Sequence, residues 1–249
     1  MSSDTYRQRI TEVLDCIWST QTDNIRRAAQ TMADSIAKKG LVHLFGSGHS
    51  VLPVQDVFPR YGSFPAFHPL MDARLMWQSV IGSGGAQGLL WLERQEGYAK
   101  VLFENEPIRA GDVMVIFSHG GVNAVGIEVA MESRARQVKV VAITSMDNQR
   151  RATASHSSGK KLSDVADIVI DNCVPAEDAL VSVEGWTAPV AAGSTVAFVT
   201  IAMSIMAEVA KELAKRGMTL PTFVSPNVPG VPAENNRQVF EAYEKALRR

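Results

Sequence analysis

Leu41-Val42-His43-Leu44-Phe45-Gly46-Ser47-Gly48-His49-Ser50 is an apolar run of strand length that stops at a Gly-x-Gly-x-Ser turn. A helix-compatible segment follows. Glycines at 46 and 48 let the backbone turn sharply and approach a ligand closely. The helix start offers unpaired N–H groups and the positive end of its dipole, which together bind anions. Ser47 and Ser50 add two hydroxyls beside those groups. The same arrangement recurs downstream. Gly111-Asp112-Val113-Met114-Val115-Ile116-Phe117 runs into Ser118-His119-Gly120-Gly121-Val122-Asn123, then into a helix through Glu128 and Met131. Two glycine- and hydroxyl-bearing loops at strand ends point to a small anionic ligand held between them.

Outward from these two units, strands alternate with helices. Residues 5–39 predict one or two helices with an apolar stripe at Ile25, Ala29, Met32 and Ile36, stopped by Gly40. Residues 51–105 read as mostly helical, interrupted by the extended Phe64-Pro65-Ala66-Phe67-His68-Pro69 and by a Gly82-Ser83-Gly84-Gly85 turn. Strands are expected at 113–117, 138–143 and 167–171, with a further one at 179–183 and a polar loop over 144–163. Gly193-Ser194-Thr195 opens a long helix to Arg216. A Pro-rich loop, 217–233, then leads to a polar terminal helix. This alternation argues for a parallel sheet covered on both faces. One domain is expected: helices over 5–39, an α/β core over about 40–216, and a C-terminal loop and helix over 217–249. Both glycine loops fall at carboxyl ends of strands, where open parallel sheets bind ligands.

Composition narrows the function. The formal net charge is −1, with acids and bases interspersed, so nothing favours nucleic acid or an anionic membrane. The most apolar helical stretch, Val196–Ala210, is too short to span a bilayer and reads as buried in a core or at a subunit contact. No basic-then-apolar leader pattern opens the sequence, and a soluble cytoplasmic protein is expected. Cys16 and Cys173 read as free or buried thiols, and no Cys/His set has metal-ligand spacing, so no metal or other cofactor is expected.

With these residues in place, the sequence resembles the sugar isomerase (SIS) domain family. The resemblance rests on Phe45–Ser50, on Gly111-Asp112 leading into Ser118–Asn123, on Val140–Ser145 and on Asp164–Asp171, and covers roughly residues 35–215. It is nearest the stand-alone branch carrying His156-Ser157-Ser158-Gly159-Lys160 and Gly193-Ser194-Thr195. The resemblance implies a three-layer αβα sandwich with a five-stranded parallel sheet in flavodoxin-like order. It also implies a homodimer, or a larger assembly of the chain, that binds phosphosugars. Residue by residue, Ser47 and Ser50 match the hydroxyl positions of the first loop, and Ser118 and Asn123 the outer positions of the second. Gly120 departs from the family pattern, standing where its second serine belongs, beside an unusual His119.

The candidate binding set is therefore Gly46, Ser47, Gly48, Ser50, Ser118, His119, Gly120, Gly121 and Asn123, with Ser194 and Thr195 as a second helix start. Isomerisation of a sugar phosphate needs a base to move a proton between carbons and a donor for the carbonyl or ring oxygen. His156, in a polar loop between strands, is the favoured proton-handling residue, with His49 and Glu184 as the other candidates. His49 and His119 have equally simple readings as loop histidines, and Glu184 as a solvated edge acid. Trp77, Trp91 and Trp186 read as packing residues. A non-catalytic sugar-phosphate sensor or regulatory subunit is the alternative. A dinucleotide or P-loop site is disfavoured because the third glycine and the Walker lysine are missing.

Overall fold

A computed structural model describes residues 2–248. Five parallel strands form the central sheet: β1 (Val42–Gly46), β2 (Phe67–Pro69), β3 (Val113–Phe117), β4 (Lys139–Thr144) and β5 (Ile168–Asp171). Their order is β2-β1-β3-β4-β5, the flavodoxin-like order. Ten α-helices accompany them among the described residues: α1 (Ser2–Thr20), α2 (Thr22–Ala37), α3 (Val51–Val57), α4 (Ala86–Leu92), α5 (Tyr98–Phe103), α6 (Ala124–Ala135), α7 (Met146–Arg151), α8 (Leu162–Val165), α9 (Ser194–Lys215) and α10 (Asn235–Leu247).

The strand sequences explain the layering. Alternate side chains leave a strand on opposite faces. Leu44, Val113, Val115, Phe117, Val141 and Ile143 enter one core, with buried residues of α1, α2, α3, α9 and α10. Phe45, Met114, Ile116, Val140 and Ala142 enter the other, with α4, α5, α6 and α8. Because both faces are covered, the strands read as continuous apolar runs instead of alternating ones. The long α9 buries Ala197, Phe198, Ile201, Ile205, Val209 and Leu213 at helical spacing, and Phe198 meets Phe117 edge-on with ring centroids 5.7 Å apart. Full burial of each large apolar side chain contributes about 1.5–3 kcal/mol. The most apolar helix of the sequence is therefore used inside this chain.

The sheet's second strand departs from expectation. Phe67–Pro69, read as an extended interruption, pairs with β1 at Val42↔Phe67 and Leu44↔Pro69. It is only three residues long and carries a proline, which cannot donate to a ladder, so it fits at a sheet edge. The expected strand at 179–183 lies outside this sheet. Ala179–Val181 (β6) pairs antiparallel with Val190–Ala192 (β7) in a separate hairpin. Residues 51–105 are less helical than expected, with three short α-helices: the Gly82–Gly85 turn interrupts them as read, with Gly82 and Gly84 at left-handed φ of +91° and +75°, and Gly97 at +91° adds a further break. The polar 144–163 loop also holds a helix: Ser145 caps α7 by accepting from the Asn148 N–H at 3.2 Å.

Candidate functional site

Strand register brings the two glycine loops together. Gly46 at the end of β1 is paired with Phe117 at the end of β3, so residues 47–50 and 118–123 leave the sheet side by side. β1 leads toward β2 and β3 toward β4, on opposite sides, which makes this the switch point where open α/β sheets bind ligands. The first loop needs its glycines. A Cβ on Gly46 would lie 2.2 Å from the Ser50 carbonyl oxygen, and Gly48 has φ +60°. The turn closes as a 3-10 helix, Gly48–Ser50, with the Ser50 N–H donating to the Ser47 carbonyl at 3.1 Å and Ser50 buried.

In the second loop the Ser118 hydroxyl accepts from the Gly121 N–H at 3.2 Å. Asn123 stands at the N-cap of α6, and its side chain makes no capping bond. It is turned toward Glu93.

Glu93 is the residue that sequence reading missed. It ends α4, where its backbone carbonyl accepts from the Val125 N–H at 3.1 Å, and its carboxylate is buried between the two loops. Ser47 donates to it at 2.8 Å. Burial pushes this carboxyl above its ordinary 4.5, against the opposing pull of the Ser47 hydroxyl, the Arg94 and His49 charges and a hydrogen bond from Asn123. The only sequence signal was an acid closing the apolar Leu89-Leu90-Trp91-Leu92 run. No spacing rule connects it to loops 46 residues upstream and 25 residues downstream of it, at Ser47 and Ser118.

His49 lies exposed at the loop, its Nε2 3.8 Å from Asp178 and its ring 6.3 Å from that of Trp77. Trp77 covers Gly48, whose added Cβ would sit 3.1 Å from the indole. Trp77, Trp91 and Trp186 are all exposed, contrary to the packing role read for them, because short loops and helices carry them off the sheet. The start of α9 already has a carboxylate. Asp178 accepts from the N–H groups of Gly193 and Ser194 at 3.2 and 2.8 Å and from the Ser194 hydroxyl at 2.8 Å. Ser194 is thus fully buried under that carboxylate, and Thr195 follows it in the first turn.

The remaining candidates have partners of their own. His119 Nδ1 accepts from the Asn172 amide at 3.2 Å, which leaves Nε2–H to donate to the Ala176 carbonyl at 3.3 Å. It ties the second loop to the segment after β5. The Gly120 carbonyl accepts from Gln149 at 2.5 Å. Gly121 is buried with φ +60°, and its carbonyl accepts from the Leu162 N–H at 2.9 Å. Glu184 is exposed in the β6–β7 turn. His156 packs against Glu96 and Glu128, with Nε2 3.8 and 3.6 Å from their carboxylates. Cys16 and Cys173, remote in sequence, are both free and meet beside the Thr20 hydroxyl, at 3.9 and 3.8 Å from it.

Fold and loops define an SIS-domain protein, and the chain belongs to that family: its model matches residues 5–145. Among its relatives, the chain is 34% identical to a UPF0309 protein of Caldanaerobacter subterraneus subsp. tengcongensis, over 98% of each chain. It is 36% identical to a UPF0309 protein of Listeria innocua serovar 6a, covering 94% of this chain and 93% of the relative. In fold it is similar to a phosphoheptose isomerase from Neisseria gonorrhoeae, with TM-score 0.57 at 16% identity over 84% of this chain and 97% of that one. A phosphoheptose isomerase from Francisella tularensis gives TM-score 0.53 at 15% identity, over 84% and 96%. No helix among the described residues is long and apolar enough to cross a membrane.

Proposed function

We propose that this chain binds a sugar phosphate between the β1 and β3 loops and isomerises it by proton transfer through Glu93, without a metal ion in the reaction. The observation that carries this reading is a buried carboxyl, raised by its burial, hydrogen-bonded to Ser47 where the two loops meet. A carboxylate whose affinity for a proton is raised by burial is a stronger general base, suited to accept and return a proton. The fold shared with two phosphoheptose isomerases supports the substrate class.

In this reading, the N–H groups of Gly48 and His49 and the hydroxyls of Ser50 and Ser118 hold the phosphate, with Asn123 beside them. A backbone N–H serves where Gly120 lacks a hydroxyl. Glu93 takes the proton from the carbon beside the carbonyl and returns it to the neighbouring carbon. His49 donates to the oxygen that gains electron density. Trp77 offers a flat face over the loop. The chain works as a homodimer in the cytoplasm.

The test is a panel of sugar phosphates screened by thermal shift and then by turnover. Glu93→Gln should keep phosphosugar binding and lower turnover by roughly 100- to 10,000-fold. Full turnover in Glu93→Gln would end the assignment. Tight binding with no turnover by the unaltered chain would instead favour the sensor reading.

A further inference from the structure

We propose that Glu96, Glu128 and His156 form a binding site for one divalent first-row transition ion, such as Zn²⁺ or Co²⁺, outside the phosphosugar loops. The three ligand atoms lie within 4.8 Å of one another. His156 Nε2 is 3.6 Å from Glu128 Oε1 and 3.8 Å from Glu96 Oε2, and its side chain is only 7% exposed. These gaps are too long for hydrogen bonds, and Nε2 is a buried polar atom with no hydrogen-bond partner. They suit an intervening ion. Bonds of about 2.0–2.2 Å in tetrahedral geometry place ligand atoms roughly 3.4 Å apart.

The surroundings fix each ligand. Glu96 accepts from the Ser157 N–H at 2.7 Å and from the Ser157 hydroxyl at 2.5 Å, which fixes its carboxylate beside the imidazole. Glu128 accepts from the Gly97 N–H at 2.6 Å and the Ala99 N–H at 3.4 Å. Among the described residues neither carboxylate pairs with a lysine or arginine, so two negative charges face one imidazole. A divalent cation balances them. His156 Nδ1 lies 2.8 Å from the Ser158 hydroxyl and 3.1 Å from the Ser158 N–H. With Nδ1–H donating to the hydroxyl, the Nε2 lone pair points at the ion. With the N–H donating to Nδ1, the proton sits on Nε2. Metal binding selects the first arrangement. One imidazole with two carboxylates favours a transition ion over Mg²⁺ or Ca²⁺, which prefer oxygen alone. The 40%-exposed Glu96 side leaves room for water ligands.

Such an ion clasps three segments of the site rim. Glu96 lies three residues after Glu93, and Glu128 five residues after Asn123. The 155–158 loop is tied to the second glycine loop by the Ser155 hydroxyl, which donates to the Val122 carbonyl at 2.6 Å.

The test titrates chelator-stripped full-length chain with Co²⁺, reading visible absorption, followed by Zn²⁺ competition. Turnover is not read, so the result is independent of the isomerase proposal. Saturation at one equivalent is expected. Loss of an outer-shell partner costs metal sites roughly 10- to 100-fold. His156→Ala and Glu96→Gln remove ligands and should each cost at least that, with circular dichroism confirming that both fold. Glu96→Gln, at an exposed position, guards against loss of folding. The absence of saturable binding, or equal binding by both variants, overturns the proposal.

Discussion

Two adjacent glycines in the second loop should respond oppositely to substitution. Gly121 has φ +60°, and a Cβ there would lie 2.3 Å from Gln149 Nε2 and 2.8 Å from Thr144 Oγ1. The left-handed backbone costs a non-glycine residue about 1 kcal/mol. Gln149 cannot retreat freely: it is buried, donates to the Gly120 carbonyl at 2.5 Å and accepts from the Ser163 hydroxyl at 2.7 Å. Breaking one of those bonds leaves a buried partner unsatisfied, at about 1–3 kcal/mol. Gly121→Ala should therefore destabilise the fold by about 2–4 kcal/mol. One residue earlier the reverse holds. The nearest atoms to a Cβ on Gly120 are 3.8 Å away, and its φ lies outside the left-handed region. One of those atoms is Asn148 Oδ1, a buried acceptor with no hydrogen-bond partner. Gly120→Ser supplies a donor there and should be neutral or stabilising by up to about 1 kcal/mol. Urea unfolding of both variants, read by tryptophan fluorescence, gives the two values. A Gly120→Ser loss as large as that of Gly121→Ala would refute this account of the loop.

Glu93 makes stability depend on pH. Its folded carboxyl is raised above the ordinary 4.5, so the native state holds a proton that the unfolded chain releases. Stability should fall as pH rises from about 4.5 through the folded value and then level off. Glu93→Gln should flatten that decline, and a slope unchanged in the variant would count against the buried charge. Burial, with Cys16 and Asp171 nearby, pushes the Cys173 thiol up to about 12. Iodoacetamide at pH 8 should leave Cys173 largely unmodified in the native chain and label it once unfolded; rapid native labelling would contradict the packing of α1 on this loop. Val80 and Ile81, 77% and 83% exposed, stand with Trp91 and Trp186 as exposed apolar residues and motivate self-association. Sedimentation at micromolar concentration should show a dimer or larger species, and a lone monomer would refute it.

How much of this was legible in sequence depended on how local the cause was. The β1 loop could be read because strand, glycines and hydroxyls occupy ten consecutive residues, and tight-turn sterics act at that range. The same holds for Ser118–Asn123 and for α9, whose apolar spacing is its own signature. β2 was harder, since three residues ending in proline have no pattern of their own and become a strand only by pairing with β1. Ser194-Thr195 read first as the cap of α9 and second as an anion contact; Gly193 takes the N-cap position, and tertiary packing brings Asp178 to the helix start.

Sequence alone determined the apolar strands, the two glycine loops and their place at strand ends, because covalent neighbours set backbone freedom and hydrophobic period. The tertiary structure alone decided which carboxylate lies against the first glycine loop and which histidine lies against two carboxylates. Glu93 meets Ser47 only because parallel register places Gly46 beside Phe117 and α4 closes over both. Folding likewise brings His156 to Glu96, 60 residues before it, and to Glu128, 28 residues before it. Burial and charge proximity are properties of three-dimensional distance, which residue spacing does not encode.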